Sequence, residues 1–71
     1  MVKKKSHVSN QLRALREAMD DMTQQALAEQ VGVARQTIIA IEQGRFCPSL
    51  ETALRIAKVF DKHVDDIFVL E

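Results

Sequence analysis

The order of apolar and polar positions along the 71-residue chain predicts a succession of short helices. Leu12, Leu15 and Met19 are spaced by three and four residues, which places them on one face of a first helix. Ser9 stands just before this pattern, where an N-cap residue is expected. Residues 1–8 precede the pattern and are interpreted as a flexible basic arm, so the predicted domain covers residues 9–71.

Two further helices follow with a very short connection. Thr23 is an N-cap candidate for a helix from residue 24 to about residue 31, and Gly32 stands where a left-handed residue is expected after its end. The next helix covers about residues 34–43 and ends at Gly44. Two helices joined by three or four residues that include glycine are typical of a helix-turn-helix unit.

The C-terminal part of the chain predicts two more helices. Ser49 is the N-cap candidate of a fourth helix, whose buried face is predicted to contain Leu50, Ala53, Leu54, Ala57 and Phe60. A short last helix contains the apolar residues Val64, Ile67 and Phe68, and the tail FVLE could be an extended edge. No internal strand is convincing, so the sequence predicts an all-α, five-helix domain with a possible short C-terminal strand.

Length and composition exclude several classes of function. A chain of 71 residues allows one domain and makes an enclosed catalytic cavity improbable. Cys47 is the single cysteine, which excludes an intrachain disulfide, and we interpret it as a semi-buried inert thiol. Neither a transmembrane stretch nor the apolar core of a signal peptide is present, so we expect a cytoplasmic protein.

Charge adds a weak indication of an anionic partner. The formal net charge is zero, but residues 1–50 carry seven basic and five acidic groups, and residues 51–71 carry three and five. Lys3, Lys4 and Lys5 could follow a DNA backbone, although a solvated terminus explains them as well.

The third helix has an unusual outward face. At 100° per residue, Ala34, Ile38 and Ile41 form the core stripe, whereas Gln36, Ala40 and Gln43 lie opposite them. Ile39 lies beside that opposite face and Arg35 points sideways from the first turn. Such a face suits a DNA major groove, because Gln pairs with adenine, Arg with guanine and an apolar side chain with the thymine methyl group. The alternative is a solvated surface of good helix formers.

The segment TQQALAEQVGVARQTIIAIEQGRFCPSL resembles the helix-turn-helix core of Cro/Xre-type transcriptional regulators, which share the lambda repressor-like DNA-binding domain. The resemblance continues through ALRIAKVF and DDIF, so it covers nearly the whole chain. The connection MDDM, Ala34 in place of a capping Ser or Thr, and Cys47 in place of a frequent Asn or Asp depart from the family pattern.

The resemblance implies roles for individual residues. Base-reading positions are Arg35, Gln36, Ile39 and Ala40; DNA-backbone contacts are Gln24, Thr37, Gln43 and Arg45; a structural ion pair joins Arg16 and Glu42. It implies double-stranded DNA as the partner. From the residues themselves we expect no cofactor, metal ion or small-molecule substrate, since His7 and His63 have no recognisable metal-ligand spacing.

We expect the protein to act as a homodimer, because one copy contacts few base pairs. The predicted dimer surface contains Val64, Ile67, Phe68 and Leu70, although Ile67 and Phe68 could instead close the core of one chain. The tails could pair as strands across the two-fold axis.

The function predicted from the sequence is therefore a DNA-binding transcriptional regulator, a repressor of a palindromic operator. The alternatives are a protein-interaction module, such as an antitoxin-like partner, and a DNA-binding component of a larger complex. An enzyme is disfavoured, because Asp20–Asp21 and Asp65–Asp66 are sequential pairs at helix boundaries and no nucleophile with a base accompanies them.

Overall fold

A computed structural model describes residues 7–71 of the chain. In chain order the elements are β1 (Val8–Asn10), α1 (Leu12–Ala18), α2 (Gln24–Val31), α3 (Arg35–Glu42), α4 (Leu50–Phe60), α5 (Val64–Ile67) and β2 (Phe68–Leu70). The prediction of a five-helix, all-α domain is confirmed, and a small two-stranded sheet is added to it. Within residues 7–71, no helix combines the length and the apolar character needed to cross a bilayer.

Local sequence signals explain the ends of the helix-turn-helix pair. The hydroxyl of Thr23 accepts a hydrogen bond of 3.0 Å from the backbone N–H of Ala26, which caps α2. Gly32 follows α2 with a φ of 85°, a left-handed conformation that glycine adopts without steric cost. Helix α3 begins one residue later and ends one residue earlier than expected, because Ala34 and Gln43 are its two cap residues. Ala34 offers no side-chain cap.

The start of the chain differs from the sequence prediction. Val8 was expected in the flexible arm and Ser9 as a helix cap, but both belong to β1, and the absence of an internal strand was a wrong prediction. The N-cap residue of α1 is Gln11, which offers no side-chain cap. The side-chain oxygen of Asn10, one residue earlier, accepts from the N–H of Leu12 at 3.0 Å. The Ser9 hydroxyl donates to the carboxylate of Glu71 at 2.7 Å. The predicted arm residues 1–6, including the three lysines, lie outside the described residues.

The sheet closes the domain by joining its two ends. Strands β1 and β2 are antiparallel, and Ser9 lies opposite Val69. The N–H of Gln11 also donates to the carbonyl of Ile67, at 3.1 Å. The C-terminal strand therefore forms as predicted, and it is hydrogen-bonded to β1 of the same chain.

One apolar core holds the helices together. Its buried members are Leu12, Leu27, Ala28, Val31, Ile38, Ile41, Ala53, Ile56, Ala57, Phe60, Ile67 and Phe68. Every helix contributes at least one of them, so burial of these side chains fixes how the short helices pack.

Two predicted core stripes are partly wrong. Leu50 and Leu54 are exposed on α4, and the fully buried Ile56 was missed. Leu54 follows Ala53 by about 100° around the helix and so turns away from the face that faces the core. Met19 is also exposed, because α1 ends at Ala18 and the chain turns away there.

Candidate nucleic-acid interface

Helix α3 is attached to the domain by one face and leaves the opposite face accessible. Ile38 and Ile41 are fully buried, which follows from their spacing of three residues on the inner side. The predicted base-reading residues lie on the other side: Arg35 and Gln36 are exposed, and Ile39 and Ala40 are partly buried. Their spacing thus leaves a polar N-terminal end and a short apolar patch facing outward.

A buried ion pair joins this helix to α1. The guanidinium of Arg16 on α1 donates to both carboxylate oxygens of Glu42 on α3, at 2.7 and 3.2 Å. A third hydrogen bond of 2.7 Å joins Arg16 to the carbonyl of Met22. The side chains of Arg16 and Glu42 are only 11% and 6% exposed, so water screens their mutual attraction only weakly. The sequence resemblance implied this structural pair, and the structure contains it.

The environment keeps Arg16 positively charged. The hydrogen bonds to Glu42 raise the pKa of the guanidinium, and the nearby charges of Glu42 and Glu17 act in the same direction. Burial opposes this effect, because removal from water disfavours the charged form. Since an arginine is already charged at any physiological pH, the pair acts as a permanent link between α1 and α3.

Gln24 connects that pair to the outward face of α3. Its amide nitrogen donates to Glu42 at 3.1 Å, which leaves the amide oxygen turned towards Arg35. The guanidinium of Arg35 makes a longer contact of 3.5 Å with that oxygen. Side chains from the first turns of α2 and α3 are therefore linked in a series that ends at the buried carboxylate.

These residues border one polar cleft. The cleft has a volume of about 860 Å³ and is lined by Gln24, Arg35, Ile39 and Gln43 from the predicted set, with Arg16 and Glu42 also among its lining residues. Gln36, Thr37, Ala40 and Arg45 do not line it. Gln36 and Arg45 are exposed, and Thr37 and Ala40 are partly buried.

The cleft also contains residues that the sequence analysis missed. Arg13, Glu17 and Asp21 contribute to its wall, and Arg13 pairs with Glu17 at 3.1 Å. Only Arg13 carried a usable signal, because it lies three positions before Arg16 and so shares its side of α1. With Glu42, three carboxylates and three arginines line the cleft, so its formal charges balance and it is not a basic surface.

The predicted dimer surface is only partly available. Ile67 is fully buried and Phe68 is 9% exposed within the single chain, so these two residues close its core and cannot also form an outer surface. Val64 is partly buried, and Leu70 is well exposed. Cys47, expected to be semi-buried, is exposed in the loop between α3 and α4.

Comparison with known proteins adds an independent observation. A family model described as helix-turn-helix matches residues 12–67. An uncharacterized HTH-type transcriptional regulator of Methanocaldococcus jannaschii is 48% identical over 64 residues, which cover 90% of this chain and 96% of the relative. The uncharacterized HTH-type transcriptional regulator YgzD of Bacillus subtilis is 45% identical over 64 residues, with the same coverage of both chains.

A solved structure shows the same fold. The crystal structure of a candidate DNA-binding protein from Bacteroides fragilis aligns with a TM-score of 0.72 and 23% identity, over 86% of this chain and 97% of that one. At this identity the likeness concerns the fold alone. The sequence matches and the structural match thus agree with the helix pair α2–α3 found in this chain.

Proposed function

Because the chain belongs to the helix-turn-helix family of DNA-binding transcriptional regulators, which are not enzymes, we propose that it reads a specific double-stranded sequence with helix α3. The observation that carries this proposal is the position of Arg35. Its guanidinium is exposed at the first turn of α3 and linked through Gln24 to a buried ion pair. A side chain positioned in this way loses less conformational freedom when it pairs with a base.

The proposed base contacts follow the outward face of α3. Arg35 suits the two acceptors of guanine, and Gln36 suits the donor and acceptor of adenine. Ile39 is proposed to contact a thymine methyl group, and the small side chain of Ala40 allows the helix to lie close to the bases.

The proposed backbone contacts surround that face. Gln24 lies at the N-terminus of α2, where helical N–H groups favour an anionic phosphate. Thr37, Gln43 and Arg45 are the remaining proposed contacts, and Arg45 supplies a positive charge after α3. These contacts orient the domain on the duplex without discriminating between sequences.

We further propose that the protein acts in the cytoplasm as a homodimeric repressor of a palindromic operator. One helix of eight residues contacts few base pairs, whereas two copies double the contacts and match half-sites about 34 Å apart. Occupation of a promoter by such a dimer blocks transcription without any further contact. In vitro transcription from a template with the operator inside the promoter tests this part, and increased transcript would contradict repression.

The central test is a comparison of two alanine variants on DNA. Duplexes selected from a random pool by the native chain provide the specific target, and random duplexes provide the reference. We expect Gln36→Ala to lower the preference for one operator position by about 1–3 kcal/mol. Arg45→Ala should weaken binding to both duplexes equally and reduce the salt dependence.

Gln30→Ala is the matched control, because Gln30 is exposed on α2 and is not a lining residue of the cleft. Equal losses on specific and random DNA for Gln36→Ala would contradict its base-reading role. If the native chain bound no duplex in a salt-sensitive manner, the protein-interaction alternative would replace the proposal.

A further inference from the structure

Helix α4 has a second apolar surface that the core does not use. Its buried face contains Ile56 and Phe60, but Leu50 and Leu54 are 71% and 53% exposed. They are one helical turn apart and line a shallow groove of about 460 Å³ together with Glu51, Arg55 and Lys58. We call these five residues the α4 stripe.

A further exposed apolar side chain precedes the α4 stripe, in the loop between α3 and α4. Phe46, four residues before Leu50, is 48% exposed. Other exposed large apolar side chains in the described part of the chain are Met19, Val69 and Leu70. Phe46, Leu50 and Leu54 are thus three exposed large apolar side chains within nine residues of sequence, and two of them line the groove.

We propose that the α4 stripe binds the α4 stripe of a second copy in an antiparallel, two-fold symmetric pair. This proposal rests on the homodimer suggested above and identifies its interface. It replaces the dimer surface predicted at the C-terminus, because Ile67 and Phe68 of that surface are buried in the core of the single chain.

The charges of the stripe support a second copy as the occupant. Residues 51, 54, 55 and 58 have the three- and four-residue spacing of a helix–helix seam. When two such helices run antiparallel about an axis between Leu54 and Arg55, each Glu51 faces the partner's Lys58. The two resulting ion pairs are related by symmetry and lie on either side of the two Leu54 side chains, and Leu50 lies beyond them at the end of each helix. A parallel pair would instead place identical charges side by side.

The existing side-chain arrangement allows this pairing. Glu51 and Arg55 form a salt bridge of 2.7 Å within α4, but their side chains are 74% and 57% exposed and can turn towards a partner. The aliphatic part of Arg55 can then cover Leu54 while its charged end remains in water.

The size of the stripe predicts a weak interface. Helix α4 has 11 residues and is about 16 Å long, so a single helix pair buries less area than a standard stable interface. We therefore expect dissociation in the micromolar range or above when the protein is free. Two adjacent half-sites on DNA raise the effective concentration of the copies and favour the pair.

The decisive experiment uses charge reversal in the full chain, followed by sedimentation equilibrium from micromolar to millimolar concentration. Glu51→Lys and Lys58→Glu should each raise the dimer dissociation constant about tenfold or more, because each variant places like charges opposite each other. An equimolar mixture of the two variants should restore association, since every facing pair is then of opposite sign. Glu29→Lys, at an exposed position of α2, is the charge control and should leave association unchanged.

A second pair of variants tests the location of the apolar contact. Leu54→Glu should abolish association, and Leu70→Glu should not, although Leu70 is the more exposed residue at 79%. Circular dichroism verifies that each variant is folded. The proposal is overturned if the mixture of charge variants stays monomeric, if Leu70→Glu alone dissociates the pair, or if the native chain stays monomeric at millimolar concentration.

Binding to a single half-site separates this proposal from the function on which it rests. Leu54→Glu should keep the affinity of the native chain for a half-site duplex and lose the cooperative occupation of a palindrome. If no variant binds DNA but the charge mixture still associates, the DNA-binding function is refuted and the α4 interface is supported.

Discussion

Helices α3 and α4 follow one another in the chain and are attached to the domain in the same way, but their outward faces differ. Each buries isoleucine on its inner side, Ile38 and Ile41 in α3 and Ile56 in α4. Outward, α3 presents Arg35 and Gln36, whereas α4 presents Leu50 and Leu54. One face provides directional hydrogen-bonding groups, and the other provides apolar area.

The two faces also differ in what lies behind them. Arg35 is linked through Gln24 to Glu42, and Glu42 is held by the buried Arg16. A hydrogen-bonding side chain discriminates between partners better when its direction is restricted, and the 3.5 Å contact with Gln24 restricts Arg35 in part. Burial of leucine is non-directional, so the face of α4 can contribute binding energy without such support. The buried ion pair thus includes Glu42 of α3, whereas the buried residues of α4 are all apolar.

The variant with the largest expected effect on stability removes the buried ion pair that holds α3 to α1. Glu42→Ala leaves the guanidinium of Arg16 buried with one carbonyl partner, so we expect a loss of about 3–5 kcal/mol in the free energy of unfolding. Urea denaturation measures this loss. Glu17→Ala, which breaks the exposed Arg13–Glu17 pair, is the control and should cost less than about 1 kcal/mol. Similar costs for both variants would show that the buried pair is not a special support.

A second test compares the two faces of α4. Ile56→Ala creates a cavity at a fully buried site and should destabilise the domain by about 2–5 kcal/mol. Leu54→Ala, at an exposed position, should change the stability of the single chain by less than about 0.5 kcal/mol. Denaturation at low protein concentration avoids any contribution from pairing. A large cost for Leu54→Ala under that condition would place this side chain in the core of one chain.

The smallest expected effect on stability concerns the N-terminal caps of the two helices. The hydroxyl of Ser49 caps α4 by accepting from the N–H of Thr52 at 3.2 Å, whereas Ala34 gives α3 no side-chain cap. Ala34→Ser should stabilise the domain by about 1 kcal/mol and raise Tm by about 4–8 °C. Ser49→Ala should lower stability by a similar amount, and thermal unfolding measures both. An unchanged Tm for Ala34→Ser would show that other contacts already satisfy the start of α3.

Sequence patterns predicted the elements whose signals are local. The α2 bounds were predicted well, because Thr23 and Gly32 act on the backbone within one turn of their own positions. Strand β1 was not predicted, because three residues carry no periodicity and their pairing depends on β2 at the other end of the chain. Ser9 was assigned to a helix cap for the same reason, since its partner Glu71 is 62 residues away.

The candidate site was predicted less completely than the fold. The period of 3.6 residues placed Arg35 and Gln36 on the outward side of α3, and their exposure agrees with that placement. The cleft residues Arg13, Glu17 and Asp21 were missed, because their position depends on how α1 packs beside α2 and α3. The roles of Arg35, Gln36 and the other proposed contacts on DNA remain predictions.

The sequence by itself determined the helical order of the chain, the helix-turn-helix pair and the ends of α2, since these depend on spacing and caps within a few residues. Only the tertiary structure decided that Ile67 and Phe68 close the core while Leu50 and Leu54 stay outside it. Periodicity gives the direction of a side chain around its own helix, but burial depends on whether another element lies in that direction. That information comes from contacts between residues far apart in the chain.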